Sequence, residues 1–147
     1  KLFGMHLLDI NVWLALAFDG HQNHNLARAW FEGLPVESRC YFCRYTQMGF
    51  MRIATNARAN PLQTLSLSQV WAFYDQTMLD VRIGFSDEPK NLETEWRQLV
   101  QVGTFTSSHW NDAYLAAFAL AADLELITID KGFSQFKNLR CTILTGQ

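Results

Sequence analysis

Apolar residues follow two alternating rhythms along this chain. Short unbroken runs end at polar residues and predict buried strands at Met5–Leu8, Arg39–Phe42, Val81–Phe85, Glu125–Ile129 and Cys141–Leu144. Between them, apolar positions recur every three or four residues, the period of an amphipathic helix. A helix over Val12–Phe18 is broken by Gly20 and His21, and a second spans Asn23–Gly33 with Leu26, Ala27, Trp30, Phe31 and Leu34 on one face. Pro35 closes that unit. A third covers Arg44–Thr55, with Asn56 as its C-terminal cap.

Ala57–Leu65 reads as a loop around Pro61. Ser66 and Gln69 then form a capping box, opening a helix whose buried stripe is Leu67, Val70, Trp71, Tyr74 and Met78. Pro89 suits the first turn of the next, which faces inward with Leu92, Trp96, Leu99 and Val100 and stops at Gly103. A slim Ala-rich helix runs from Trp110 to Ala122. Strands alternating with helices imply one α/β domain over residues 5–147 with a central, mainly parallel sheet. Residues 1–4 read as a vector-derived extension, with Met5 as the native start.

Composition narrows the picture. The chain has 147 residues, 49% of them hydrophobic, enough to bury a real core and incompatible with disorder. A formal net charge of −2 gives no global field for nucleic acid and leaves any such contact to local patches. Cys40 and Cys43 form C-x-x-C, but with Cys141 alone there is no second ligand pair for zinc, so small buried thiols in a reduced, cytoplasmic setting are the better reading. No run spans a bilayer and no signal peptide is visible, so no membrane partner is expected.

The chemistry concentrates in acids at element boundaries. In open α/β sheets, sites lie outside the carboxyl ends of the strands. Asp9 follows the first predicted strand, Asp130 follows Leu126-Ile127-Thr128-Ile129, and Asp112 falls in the first turn of the Ala-rich helix, above the stripe of Leu115, Ala116 and Ala119. Each has an ordinary structural account: Asp9 as a helix cap, Asp112 against a helix dipole, Asp130 in a turn with Lys131-Gly132. Together, at matching ends, they favour a site. Converging carboxylates either raise one another's pKa or bind a hard cation such as Mg²⁺ or Mn²⁺, which activates water for attack on a phosphodiester. A phosphatase or receiver-type acid fits less well, because Asn11 stands where a second acid is wanted.

Four stretches carry a resemblance: Leu7-Leu8-Asp9-Ile10-Asn11-Val12, Thr46 through Asn56, Asn111-Asp112-Ala113-Tyr114-Leu115, and Thr128-Ile129-Asp130-Lys131-Gly132-Phe133. In order and spacing they resemble the PIN-domain family, and within it the VapC-type toxins of bacterial toxin–antitoxin pairs. The resemblance implies a Rossmann-like three-layer α/β/α sandwich and a metal-dependent endoribonuclease using one or two Mg²⁺ or Mn²⁺ ions. It also implies a homodimer and a cognate antitoxin that holds the toxin inactive. Asp9, Asp112 and Asp130 take the places of the family's catalytic and metal-binding acids. Thr128 and Asn11 become supporting groups that position water or ligand, with Thr46 and Asn111 in the same supporting set. The family's usual second acid falls at Gln47, an uncharged amide. Gln47 is a water-positioning member of the catalytic set, the mark of a weak or inactive binding module that works through its partner, or an ordinary surface residue of its helix.

Arg39, Arg44, Arg52 and Arg58 give an acid-free basic stretch, of which Arg52 is the best placed for RNA phosphates. Lys131, Lys137 and Arg140 are further basic positions, and His109 is an exposed cap or a proton shuttle. Trp13 and Trp30 are expected to line a groove for an antitoxin helix.

Overall fold

The computed structural model describes residues 4–101 and 105–146. Its elements follow the predicted order: β1 (Met5–Leu8), α1 (Ile10–Ala17), α2 (His24–Glu32), β2 (Arg39–Phe42), α3 (Arg44–Ala54), α4 (Leu67–Thr77), β3 (Ile83–Phe85), α5 (Leu92–Leu99), α6 (Trp110–Ala122), β4 (Glu125–Thr128) and β5 (Cys141–Ile143). Two 3₁₀ turns, Ser107–His109 and Lys131–Gln135, precede α6 and follow β4. The sheet runs β3-β2-β1-β4-β5 with every pairing parallel. From β1 the chain steps outward to β2 and β3, then returns to add β4 on the other side of β1.

The period-2 alternation of strand side chains divides the core into two layers. Leu8, Cys40, Phe42 and Ile127 face the layer built by α1, α2, α3 and α4. Leu7, Leu126 and the partly buried Tyr41 face α5 and α6. A three-layer α/β/α sandwich results. The first layer is aromatic: Trp13 stacks on Phe42 at 3.7 Å between ring centroids, with Phe50 and Tyr74 set edge-on against Phe42. The second is slim because α6 offers Ala113, Ala116, Ala117 and Ala119, all fully buried.

Some boundaries and faces differ from expectation. The α1 helix begins at Ile10, two residues early, because Asp9 caps it. The α3 helix ends at Ala54 with Thr55 as its cap; Asn56 instead starts a turn, its Oδ1 accepting from the Arg58 N–H at 2.9 Å. The capping box of Ser66 and Gln69 is present. The stripe on α4 is narrower than the periodicity predicts: Val70 and Tyr74 are buried, but Leu67 is 74% and Trp71 53% exposed. This helix lies towards β3, the outermost strand, where little sheet remains to be covered. Gly103, the expected stop of α5, lies outside the described residues. All three cysteines are free, and burial pushes the Cys40 thiol up to about 12, which leaves it inert. Among the described residues no helix is long and apolar enough to cross a membrane.

Candidate active site

The β1 strand sits where the strand order reverses, with β2 on one side and β4 on the other. A crevice opens at such a point because successive connections leave towards opposite faces. The Asp9 N–H donates to the Ile127 carbonyl at 2.9 Å, and the chain then turns straight into α1. The Asp9 side chain is buried, and both its oxygens are engaged. One accepts from the Ile10 N–H at 2.7 Å, the other from the Thr128 hydroxyl at 2.7 Å.

Thr128 is the hub. It is fully buried, and its Oγ1 also accepts from the Asp130 N–H at 3.0 Å and the Asn11 amide at 3.5 Å. Asn11 completes the clamp by accepting from the Ile129 N–H at 3.3 Å. Asp9, Asn11, Thr128 and Asp130 are therefore one hydrogen-bonded unit across the ends of β1 and β4. Asp130 caps the turn after β4, its Oδ1 accepting from the Gly132 N–H at 2.8 Å. Asp112 approaches from the other layer, half-buried in the first turn of α6.

Electrostatics shows that the three acids share one field. Burial raises the Asp9 carboxyl from 3.8 to about 6; the bonds from Thr128 and Ile10 oppose this, and the charges of Asp112 and Asp130 add to it. Burial also raises Asp112, with the Asp130 charge pushing the same way and His109 opposing. The N-termini of α1 and α6 bring the positive ends of two helix dipoles to this edge, which favours anions there.

The other predicted residues fall in three places. Thr46 is buried and structural, accepting from the Cys43 N–H at 2.9 Å and closing the first turn of α3. Gln47 is buried on α3, and its amide oxygen accepts from the Arg44 guanidinium at 2.5 Å rather than turning to the carboxylates. Arg52 and Asn111 are exposed, and neither side chain has a hydrogen bond or ion pair among the described residues. Away from the site, Arg140 pairs with Asp123, and Trp30 packs edge-on against His6 at 5.4 Å.

Two residues of this region receive no role from the sequence: Gly49, although it stands within the Thr46–Asn56 stretch, and Tyr45 just before it. A Cβ built at Gly49 would stand 2.2 Å from the Ile10 Cδ1, so this glycine is where α3 closes on the start of α1. Tyr45, one turn earlier on the same face, reaches over the sheet rim to Tyr114 of α6, with ring centroids 5.7 Å apart. A glycine inside an otherwise regular helix is the one signal the sequence offers, since such a residue costs stability unless a neighbour comes close.

The donor chemistry of the site is oxygen only. Among the described residues no three His, Cys, Asp or Glu side chains are drawn tightly around one point. Neighbouring acid charge nevertheless helps to raise Asp9 and Asp112, which a hard divalent cation would relieve, and such ions keep several waters between themselves and their ligands. The donors are oxygens, the kind such an ion takes, but among the described residues they are not grouped as a metal site.

Fold and site together define a parallel α/β protein with carboxylates gathered at the switch point of its sheet. The chain belongs to the PIN-domain family, whose model matches residues 6–139. Within it the chain is similar to the VapC proteins. It is 38% identical to Ribonuclease VapC41 of Mycobacterium tuberculosis over 95% of this chain and 99% of that one. It is 31% identical to Ribonuclease VapC33 of the same organism over 94% and 96%. The fold matches VapBC2 from Rickettsia felis bound to a promoter DNA fragment, with TM-score 0.69 and 15% identity over 96% of this chain and 99% of that one. It also matches Mycobacterium tuberculosis VapC20, a Sarcin-Ricin loop cleaving toxin, with TM-score 0.63 and 13% identity over 88% and 93%.

Proposed function

We propose that this chain is an endoribonuclease toxin that hydrolyses RNA phosphodiester bonds with Mg²⁺ or Mn²⁺ and is neutralised by a cognate antitoxin. The observation that carries the reading is the buried Asp9 carboxylate, oriented by Thr128 and Ile10 and placed in the field of Asp112 and Asp130. The similar ribonucleases and the antitoxin complexes among the solved neighbours support it.

Asp9, Asp112 and Asp130 would hold the cation, which when bound polarises the phosphate and supplies a water acidic enough to attack at neutral pH. Three carboxylates balance one dication with a charge to spare, whereas two dications leave the site positive. The protein's own work is positional. Thr128 fixes the rotamer of Asp9, and Asn11 locks the start of α1 to the end of β4, so the acids meet the substrate without rearranging. The exposed guanidinium of Arg52 is free to neutralise a phosphate along the RNA. Gln47, spent on Arg44, is a strut of α3 in this reading; its lack of charge then does not weigh against cutting. A homodimer, implied by the resemblance, belongs to the same reading.

The antitoxin has a fitting surface. An apolar groove of about 390 Å³ opens between α1, α2 and α4, lined by Trp13, Phe31, Phe42, Phe73, Tyr74 and Leu79. Its aromatic and aliphatic lining, with Arg28 and Asp80 at its edge, suits an amphipathic helix.

The test is Asp9→Asn. Purified wild-type protein with Mg²⁺ should cut RNA, and the variant should lose at least about a hundredfold in rate with its circular dichroism unchanged. Cutting by the variant at the wild-type rate would remove Asp9 from the site.

A further inference from the structure

Gly49 fixes which side of α3 meets the carboxylates. Because it closes on Ile10, the residue after Asp9, positions one turn away on that face also border the crevice. Those positions are Tyr45 before it and Arg52 after it. Tyr45 lies in the first turn of α3, level with the strand ends where the acids stand.

Its two parts are in opposite situations. The ring is packed, edge-to-face on Tyr114 across the sheet rim. Burial raises the pKa of the hydroxyl, the charges of Asp9 and Asp112 add to this, and the hydroxyl has no hydrogen-bond partner among the described residues. Tyr114, its neighbour, has spent its own hydroxyl on Glu88 at 2.8 Å. A half-buried phenol normally satisfies its hydroxyl once its ring is fixed. Here the ring is held against Tyr114 at the strand ends where Asp9 and Asp112 stand, and the donor is left without a partner among the described residues. Those acids repel a phosphate, so a substrate entering between them needs donors on the opposite wall. A neutral O–H supplies one, and Arg52 supplies charge further along the same face.

We infer that Tyr45 is a substrate-contacting residue whose hydroxyl donates a hydrogen bond to a non-bridging phosphate oxygen of RNA lying over Asp9 and Asp112. This rests on the ribonuclease reading above and adds a residue to it.

The test compares Tyr45→Phe, which keeps the ring and removes only the donor, with Tyr45→Ala. Cleavage is measured in the wild-type background, and affinity for a short single-stranded RNA oligonucleotide in the Asp9→Asn background. Tyr45→Phe should lower kcat/KM about tenfold and weaken oligonucleotide binding by a similar factor, with an unchanged Tm. Tyr45→Phe that cuts and binds like its parent overturns the inference, even if Tyr45→Ala is impaired, because the ring alone would then matter. If the wild-type protein cuts no RNA but the oligonucleotide affinity still falls, the ribonuclease reading fails and the phosphate contact stands.

Discussion

Asp9 works against the stability of the metal-free fold. Its carboxyl titrates at about 6 in the folded protein against 3.8 for the ordinary group, so folding favours the protonated form. The stability it contributes is full below about pH 3.8 and is lost as pH rises through 6. A displacement of that size corresponds to about 3 kcal/mol. Chelator-treated wild-type protein should therefore lose stability in urea melts between about pH 4 and 7. Asp9→Asn should flatten that dependence and gain about 1–2 kcal/mol over wild type at about pH 7. Thr128→Val keeps the shape of the hub but removes its hydroxyl, stranding the Asp130 N–H and an Asp9 oxygen; it should cost about 1–3 kcal/mol in the same melts and lower kcat more than it raises KM. The three acids were legible in the sequence because each stands at a boundary between an apolar run and a helical pattern or turn. The burial of Gln47 was not, because the aromatic layer that covers it is assembled from elements far apart in sequence. Tyr45 was hidden for the same reason: its value lies in Tyr114 and Asp112, which only the assembled sheet brings near.

At the level of elements, strands and helices were legible because their apolar periods are clean and their ends carry chemistry, as Ser66 and Gln69 do for α4. What periodicity could not give is how much neighbour each face would meet. Leu67 and Trp71 repeat at helical spacing but face outward, since α4 lies towards the edge strand. Gly49 shows the opposite case, a helix face met so closely that any side chain is excluded. Gly49→Ala should be destabilising by about 1–3 kcal/mol despite the better helix propensity of alanine, because Ile10 must shift. Thermal melts check the stability. A loss of cleavage larger than the unfolded fraction explains would show the displacement reaching Asp9, the residue next to Ile10.

For the whole molecule, the class of fold was legible in the alternation of elements, but the strand order was not. Nothing local says that β4 returns to the side of β1 away from β2, and that return brings Asp130 and Thr128 beside Asp9. The same topology places the apolar groove and the acid crevice on different parts of the surface, the first walled by α1, α2 and α4 and the second at the strand ends. Binding of an antitoxin helix and cutting should therefore separate by mutation. Leu79 lines the groove and is 75% exposed. Leu79→Glu should weaken antitoxin binding at least about tenfold by calorimetry, leaving RNA cleavage by the free protein near wild type.

The clamp of Asp9, Asn11 and Thr128 has a consequence for how such a protein escapes its own toxicity. A cell that makes it without its neutralising partner is under pressure to disarm it by the mildest available lesion. Truncating the aromatic core would do so by making a misfolded product that must be cleared. An amide at Asp9 disarms the crevice, relieves a buried charge and leaves a folded protein able to sequester antitoxin. Survivors of such selection should carry acid-to-amide changes at the rim of the sheet more often than cavities in its core. The spectrum of inactivating lesions is thus written into a carboxylate that the fold tolerates at a cost.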